Sequence, residues 1–248
     1  TRWLLNQFDL ITVPSNLIKN NLLLMNVNSG IIKVIQDTRF EQILYRSIHQ
    51  IPKIKLPKYF TDFDTIIFGS IDYYDENIIY PTIIKLFPSG SQSLTNNSQG
   101  CIFVPHEVDK KTINRITNTL INNQFNVVLS SKMKFTNIEK GSVIVVDQVG
   151  LLAELYKYAN IAYIGGGFSR GVHSILEPAI YNCSLLSGPN IEMLDEAKEF
   201  TQNNYLTLVR DSEMLYNILS NTTNDSINTS ALFEKCNSSK KIIELLQC

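Results

Sequence analysis

Short apolar segments alternate with amphipathic segments along most of this chain, and the alternation restricts its possible folds more than any other feature. The apolar runs at residues 65–68, 101–104, 142–146 and 161–164 have the length of buried strands. Each run is followed by a turn and then by a segment with helical spacing of its apolar residues. Because strands that alternate with helices pair in parallel, the sequence predicts an α/β fold built on a Rossmann-like parallel sheet.

A change in composition near residue 50 predicts a domain boundary. Residues 47–64 carry Pro52 and Pro57 among spaced lysines, which suits an extended connector better than a packed element. We therefore expect residues 1–50 to be the tail end of a preceding α/β domain and residues 51–248 to form a second domain. The chain begins at Thr1 rather than Met, so we also expect it to be part of a longer protein.

Composition and charge argue against several classes of partner. The net charge is −1, which disfavours a broad electrostatic attraction to nucleic acid. No run of about 18 apolar residues is present to span a bilayer, and no signal peptide is visible. The cysteines lack the spacing of metal ligands, so they predict free thiols in a reducing compartment and no metal site. They are Cys101, Cys183, Cys236 and Cys248.

A glycine triplet at residues 165–167 makes the segment after the fourth apolar run the strongest candidate for a ligand site. Past residue 171 the pattern becomes helical, with Ser174 as a predicted N-cap and Glu177 in the first turn. A strand, a glycine loop and a helix N-terminus together present free N–H groups to an anion. The alternative is an ordinary tight turn, since glycine loops are common in α/β folds.

Small or polar residues also follow three other predicted strands. In a parallel sheet the carboxyl ends of the strands lie at one edge, where ligands bind. We therefore expect four strand ends to converge on one crevice. The residues at these ends are Gly69 and Ser70; Pro105, His106 and Glu107; Asp147; and residues 165–177, which include Arg170 and His173.

Each charged residue at these ends also has an interpretation without a ligand. His106 would be a surface residue beside a proline, and Glu107 and Asp109 would be acids favoured by the dipole at the start of a helix. Asp147 would be a helix N-cap, and Glu177 a first-turn acid rather than a ligand of a ribose diol. The loop cations would be solvated rather than bound to a phosphate.

Longer motifs resemble a known family. The segment DQVGLLAELYKYANIAYIGGGF, which starts at Asp147 and continues through His173 to Leu176-Glu177-Pro178, resembles the 3-deoxy-D-manno-octulosonic acid (Kdo) transferases. Residues 36–40 (QDTRF) are similar to the family's G-D-T-R-F segment, and residues 105–107 (PHE) to its P-H-E or P-R-H segment. Residues 68–70 (FGS) match its G-S turn, and the similarity is collinear over nearly the whole chain.

The resemblance implies a two-domain GT-B glycosyltransferase, inverting and without a metal or other cofactor. Its donor would be CMP-Kdo and its acceptor a lipid A precursor at the cytoplasmic face of the bacterial inner membrane. The membrane surface would be reached through an amino-terminal region that this chain lacks. Residues 1–50 would then be the carboxyl-terminal remnant of the acceptor-side domain, and residues 51–248 the donor-binding domain. Motif positions of the family assign donor binding to Gly69, Ser70, Pro105, His106, Gly165, Gly166, Gly167, His173, Ser174 and Glu177.

Two other functions stay open at this point. One is a GT-B transferase or epimerase that uses a UDP-sugar, and the other is a degenerate remnant without catalytic activity. Gln36 stands where the family has Gly, and Ser174 where it usually has Asn. The carboxylate proposed as general base in the family belongs to the absent domain, so the sequence names no catalytic residue.

Overall fold

The computed structural model describes residues 1–133, 138–221, 228–234 and 236–247. Contacts divide the chain into two compact units, one of Thr1–Gln50 with Ser230–Cys248 and the other of Ile51–Thr229. We call these the terminal unit and the sheet unit. Residues 230–248 thus group with residues 1–50, whereas the sequence analysis placed them with residues 51–229. The acceptor-side and donor-binding assignments of the two parts stay predictions.

Within its described residues, the terminal unit contains a small parallel sheet and five α-helices. Its strands β1 (Ile11–Val13) and β2 (Ile32–Val34) pair in parallel. Its helices are α1 (Arg2–Leu5), α2 (Asn16–Leu24), α3 (Arg39–His49), α12 (Ala231–Glu234) and α13 (Ser238–Leu246). Phe40 and Phe233 pack with ring centroids 4.9 Å apart, which joins α3 to α12.

The sheet unit contains seven strands and the remaining helices of the described chain. The strands are β3 (Asp64–Ile71), β4 (Gln99–Pro105), β5 (Val127–Leu129), β6 (Val143–Val145), β7 (Ile161–Ile164), β8 (Ser184–Ser187) and β9 (Leu206–Leu208). The helices are α4 (Tyr59–Asp62), α5 (Tyr73–Leu86), α6 (Ser91–Asn96), α7 (Lys110–Asn122), α8 (Leu152–Leu155), α9 (Leu176–Ala179), α10 (Asp195–Gln202) and α11 (Ser212–Ser220).

The seven strands form one parallel sheet in the order β5-β6-β4-β3-β7-β8-β9. Strands β3 to β6 form one half of the sheet, with β5 at its edge, and the chain then returns to build the other half from β7 to β9. Strand order therefore reverses between β3 and β7, and such a switch point opens a crevice at the carboxyl ends of the strands. The predicted α/β fold with a Rossmann-like parallel sheet is confirmed.

The central strands are apolar on both faces, which explains why they occupy the middle of the sheet. Ile66, Ile67, Phe68, Ile102 and Phe103 are each at most 1% exposed. A strand with helices over both faces gains free energy by burying every side chain, at about 25 cal/mol per Å² of apolar surface. This rigid centre fixes the positions of the loops at the carboxyl ends of β3, β4 and β7.

Several predicted segments differ from the structure. The glycine-loop helix α9 has only four residues and begins after Ile175, so Ser174 is not its N-cap. Asp147, predicted as a helix N-cap, is not at the N-cap of α8, which is Leu151. Residues 222–227 and Cys248 lie outside the described residues. Among the residues that the structure describes, no helix is long and apolar enough to cross a membrane.

Candidate ligand-binding site at the switch point of the sheet

A cavity of about 680 Å³ opens at the carboxyl ends of β3, β4 and β7. Its walls come from the start of α5, from the residues after β4, from α7 and from the loop after β7. Ligands of open α/β sheets bind at this kind of position. The polar side chains that line it belong to Asp72, Tyr73, Tyr74, His106, Glu107, Thr112, Arg115, Ser169, Arg170 and His173.

Two histidines from different strand ends stack at this cavity. The ring centroids of His106 and His173 are 4.4 Å apart, and the ring planes are inclined by 16°. His106 is exposed and His173 is half-buried. Burial, and secondarily the charge of His106, lower the pKa of His173. An anion bound beside the two rings would offset both effects, because it stabilises the charged imidazolium form.

The three glycines after β7 have different reasons for being glycine. Gly166 lines the cavity and has a φ of +88°, a conformation that L side chains rarely adopt. A Cβ atom on Gly165 would overlap the backbone at Ser70, and one on Gly167 would lie 2.6 Å from the amide nitrogen of Gly188. Gly165 and Gly167 therefore allow protein backbones to pack, and Gly166 is the member of the triplet that faces the cavity.

Three amide groups of the segment that was predicted to bind an anion donate hydrogen bonds within the protein. Gly165 donates its N–H to the carbonyl oxygen of Gly69 at 2.8 Å, and His173 donates its N–H to that of Gly165 at 3.1 Å. Gly166 donates its N–H to the Asp75 carboxylate at 2.8 Å. These three amides are therefore not available to an anion, and α9, which is only one turn long, has a weaker dipole than a long helix would have. The positive charge at the cavity comes from side chains instead.

Asp75 supplies a buried carboxylate behind the glycine loop. Its side chain is fully buried and accepts hydrogen bonds from the Tyr163 hydroxyl at 2.9 Å and from the amides of Gly166 and Asp72. Burial raises the pKa of Asp75 to about 6, and the hydrogen bonds limit the rise. Asp72 in turn caps α5 by accepting the N–H groups of Tyr74 and Asp75, and it accepts the Ser169 hydroxyl from the loop.

A buried ion pair supports another wall of the cavity. Arg115 donates from Nε to Glu76 at 2.9 Å and from Nη2 at 2.6 Å, which is a bidentate pair. Glu76 is 3% exposed, while the Arg115 side chain is 32% exposed and reaches the cavity. The guanidinium carbon also lies 5.7 Å from the centroid of the Tyr73 ring. The pair fixes the guanidinium orientation, because the carboxylate occupies one edge of its fork.

Of the residues predicted to bind donor, His106, Gly166 and His173 line the cavity. Gly69 packs against the Tyr156 ring, and Ser70 adopts a φ of +52° at the irregularity where the pairing of β3 with β4 shifts. Pro105 is the buried last residue of β4. These three, together with Gly165, Gly167, Ser174 and Glu177, are outside the lining of this cavity.

Neither Glu177 nor Asp147 is among the residues that line the cavity. Glu177 is half-buried in α9, and its charge adds to burial in raising the pKa of the buried Tyr156. Asp147 accepts the Ser130 hydroxyl at 2.7 Å and the Ser131 amide at 2.8 Å. It therefore ties the ends of β5 and β6 together, and the N-cap position of α8 is Leu151, whose side chain makes no capping hydrogen bond.

The sequence analysis missed Asp72, Asp75, Ser169 and Arg115. The first two had a detectable signal, because an Asp at the N-cap followed three residues later by another acid predicts a capping box. That pattern is present immediately after the Gly69-Ser70 turn. Nothing in the sequence connects these acids to a loop about ninety residues further on, since that contact depends on strand order.

Comparisons with known proteins show which sequences and folds this chain is similar to. No protein-family model matches the chain. The chain is 26% identical over 178 residues to the 3-deoxy-D-manno-octulosonic acid transferase of Rickettsia bellii. The aligned residues cover 69% of this chain and 39% of the relative. The chain thus spans about two fifths of the length of that curated relative.

Solved structures show where the fold recurs. The C-terminal CMP-Kdo binding domain of WaaA from Acinetobacter baumannii superposes with a TM-score of 0.59 at 19% identity, over 82% of this chain and 97% of that chain. The UDP-GlcNAc 2-epimerase of Neisseria meningitidis gives 0.59 at 15% identity, over 97% of this chain and 61% of its own. These structures establish the GT-B type of fold, which several activities share. The sequence similarity is more specific, and it confirms the resemblance predicted from the motifs: this chain is similar in sequence to the Kdo transferases.

Proposed function

We propose that this chain is chiefly the donor-binding half of an inverting glycosyltransferase that moves Kdo from CMP-Kdo to a lipid A precursor. The observation that carries the proposal is the sequence relation to a curated Kdo transferase. The fold alone is insufficient, because a UDP-GlcNAc 2-epimerase superposes as well as a CMP-Kdo binding domain. The reaction would take place at the cytoplasmic face of the bacterial inner membrane.

The stacked histidines are the proposed ligands of the donor phosphate. His106 and His173 are close enough for both rings to contact one phosphate group. The negative phosphate would favour their protonated forms, and Arg115 and Arg170 add positive charge to the same cavity. Positive charge that is already in place stabilises the phosphate as it departs, so the proposal requires no metal cofactor.

The remaining predicted residues are proposed to surround the nucleoside of the donor. Glu177 would accept hydrogen bonds from the ribose diol, Pro105 would lie near the cytidine or the phosphate, and Ser174 would lie by the phosphate. Gly69, Ser70, Gly165 and Gly167 contribute indirectly, because they let the strand ends pack closely. An acceptor hydroxyl would displace CMP in line and invert the anomeric centre. The general base is expected in the part of the relatives that this chain does not span.

Differential stabilisation by nucleotides tests this proposal. A ligand at 100 times its Kd stabilises a protein by about 2.7 kcal/mol, which for this size raises Tm by about 5 °C or more. We expect saturating CMP to produce such a shift and UDP at the same concentration to produce a much smaller one. The measurement is a thermal melt followed by calorimetric titration of both nucleotides.

A larger shift with UDP would overturn the assignment in favour of a UDP-sugar enzyme, the alternative that the epimerase fold supports. No shift with either nucleotide would contradict donor binding and favour a degenerate remnant. A phosphate-only response, equal for CMP, UDP and inorganic phosphate, would contradict recognition of the base.

A further inference from the structure

Two carboxylates at the start of α5 are bonded to the loop after β7. Asp75 accepts the Gly166 amide at 2.8 Å, and Asp72 accepts the Ser169 hydroxyl. Gly166 and Ser169 begin and end a tight turn, since the Ser169 amide donates to the Gly166 carbonyl oxygen at 3.0 Å. The turn is thus attached at both ends to one helix N-terminus.

Asp75 makes more hydrogen bonds than helix capping requires. In a capping box the Asp75 side chain has to accept only one hydrogen bond, that from the Asp72 amide, which is 3.0 Å long here. The two additional bonds, from the Tyr163 hydroxyl and the Gly166 amide, both come from β7 or the residues just after it. Burying a carboxylate is costly unless its oxygens are hydrogen-bonded, so this arrangement stabilises a single position of Gly166.

The position of Gly166 in turn determines where His173 lies. A Cβ atom on Gly166 would approach the Cδ2 and Nε2 atoms of His173 to 3.1 Å, so the backbone of one residue adjoins the ring of the other. His173 also donates its N–H to Gly165, the neighbour of Gly166. A shift of the turn would therefore displace the His173 ring and alter its stacking on His106, whose ring centroid lies 4.4 Å away.

We propose that Asp75, assisted by Asp72, is a positioning residue that holds the Gly166–Ser169 turn so that His173 stays stacked on His106. The role in donor binding rests on the proposed function. The fixation of the turn is independent of it, because it follows from the bonds of Asp75 and Asp72 within the protein.

The test compares Asp75→Ala with Asp75→Asn in the full chain. The asparagine oxygen can accept both amides, and its NH₂ group can donate to the Tyr163 oxygen, so Asp75→Asn keeps the same three contacts. Asp75→Ala leaves three buried donors unsatisfied, at about 1–3 kcal/mol for each group. Hydrogen exchange by mass spectrometry reports on the peptide that covers residues 165–173, and calorimetry reports on CMP.

We expect Asp75→Ala to speed amide exchange in residues 165–173 by about tenfold or more and to weaken CMP binding by a similar factor. Asp75→Asn should stay within about threefold of the parent in both measurements. Equal effects of the two variants, or an unchanged loop in Asp75→Ala, would overturn the proposal. If the parent does not bind CMP, the proposed function fails, while the exchange data still decide whether the turn is fixed by Asp75.

Two further variants separate loop fixation from a general loss of stability. Asp109→Ala removes the matching N-cap of α7, where Asp109 accepts the amides of Lys111 and Thr112, and it should leave exchange in residues 165–173 unchanged. Ser169→Ala removes only the Asp72 link and should speed that exchange by about threefold, so it also serves if Asp75→Ala does not fold. Fixation by the two carboxylates would be contradicted if Asp109→Ala speeds amide exchange in residues 165–173, or if Ser169→Ala leaves that exchange unchanged.

Discussion

The carboxyl ends of β3 and β6 carry similar residues but have different roles in the sheet. Asp75, after β3, is fully buried and binds the glycine loop that follows β7. Asp147, after β6, is partly exposed and binds Ser130 and Ser131, which follow β5. Both aspartates accept a backbone amide at 2.8 Å and a hydroxyl, so the local chemistry is nearly the same.

Strand order explains the difference. β3 pairs with β7, whose loop faces the cavity, whereas β6 pairs with β4 and β5 in the outer half of the sheet. An acid after β3 therefore reaches the switch point, and an acid after β6 cannot do so from its position. The comparison teaches that a strand-end acid acquires a functional position through its neighbours in the sheet and not through its own local sequence.

The largest effect is expected for the buried Arg115–Glu76 pair. The prediction is that this pair, at the β3 end, stabilises the fold more than Asp147 does at the β6 end. Arg115→Ala leaves the Glu76 carboxylate, 3% exposed, without its bidentate partner. Breaking a buried pair typically costs 3–5 kcal/mol, and the part-exposed guanidinium lowers this to about 2–3 kcal/mol. Urea unfolding should show the loss. Asp147→Ala should cost only about 1 kcal/mol, because Asp147 is partly exposed and its partner Ser131 is exposed, so water can replace part of the lost bonding.

Lys85→Ala is the matched control, because Lys85 forms an exposed pair with Glu213 at the other end of α5. Little change in the free energy of unfolding is expected there. A loss for Arg115→Ala no larger than that for Lys85→Ala would show that the buried pair does not stabilise the β3 end.

The next prediction concerns pH. The contributions of Asp75 and Asp147 to the free energy of unfolding should change in opposite directions as pH rises. The pKa of Asp75 is raised from 3.8 to about 6, so the folded state binds its proton more tightly than the unfolded state. The stabilising effect of that proton is present below pH 4 and is lost as pH rises to about 6, on the order of 2–3 kcal/mol. Partial burial raises the pKa of Asp147, but hydrogen bonds from Ser131 and Ser130 lower it more strongly. Its contribution is therefore present at neutral pH and lost as pH falls below its usual pKa of 3.8.

Unfolding by urea from about pH 2 to pH 7 measures both signs. Between pH 4 and pH 6, the parent should lose stability steadily relative to Asp75→Asn as pH rises. The difference between the parent and Asp147→Asn should be nearly constant above pH 5 and shrink below pH 4. A change of the same sign for both variants would refute the assigned environments.

Much of the sheet could be predicted from the sequence, because buried parallel strands are continuous apolar runs. Residues 65–68, 101–104 and 161–164 are strands in the structure, and each is followed by residues at one edge of the sheet. The segment after residue 171 was not predictable in the same way. Its helical spacing continues from Ser174, yet the segment stays irregular until Leu176, since Val172 and the glycine loop bond to Asn190 and to each other instead.

The candidate site was predictable only in part, for the same physical reason that separates Asp75 from Asp147. His106 and His173 stood out as histidines at strand ends, and the structure stacks them. The carboxylates behind the loop had only a capping pattern, which most helices use for local stability alone. Their contact with Gly166 required knowledge that β7 lies beside β3, which depends on the whole sheet.

The smallest expected effect asks on which side of the glycine loop the nucleotide lies. Glu177 is half-buried in α9 outside the cavity, whereas Glu107 is exposed and lines it. If Glu177 accepts hydrogen bonds from the ribose diol, Glu177→Ala should weaken CMP binding by about tenfold, near the 1.4 kcal/mol that a hydrogen bond to a charged group supplies.

Glu107→Ala removes a negative charge near the proposed phosphate position, so CMP binding should instead strengthen by about twofold, in keeping with an exposed charge. Calorimetric titration at low and high salt distinguishes the two, because only the Glu107 effect should be screened by salt. Unchanged CMP affinity in Glu177→Ala, with a thermal midpoint equal to that of the parent, would place the ribose away from α9 and restrict the nucleotide to the cavity beside the stacked histidines.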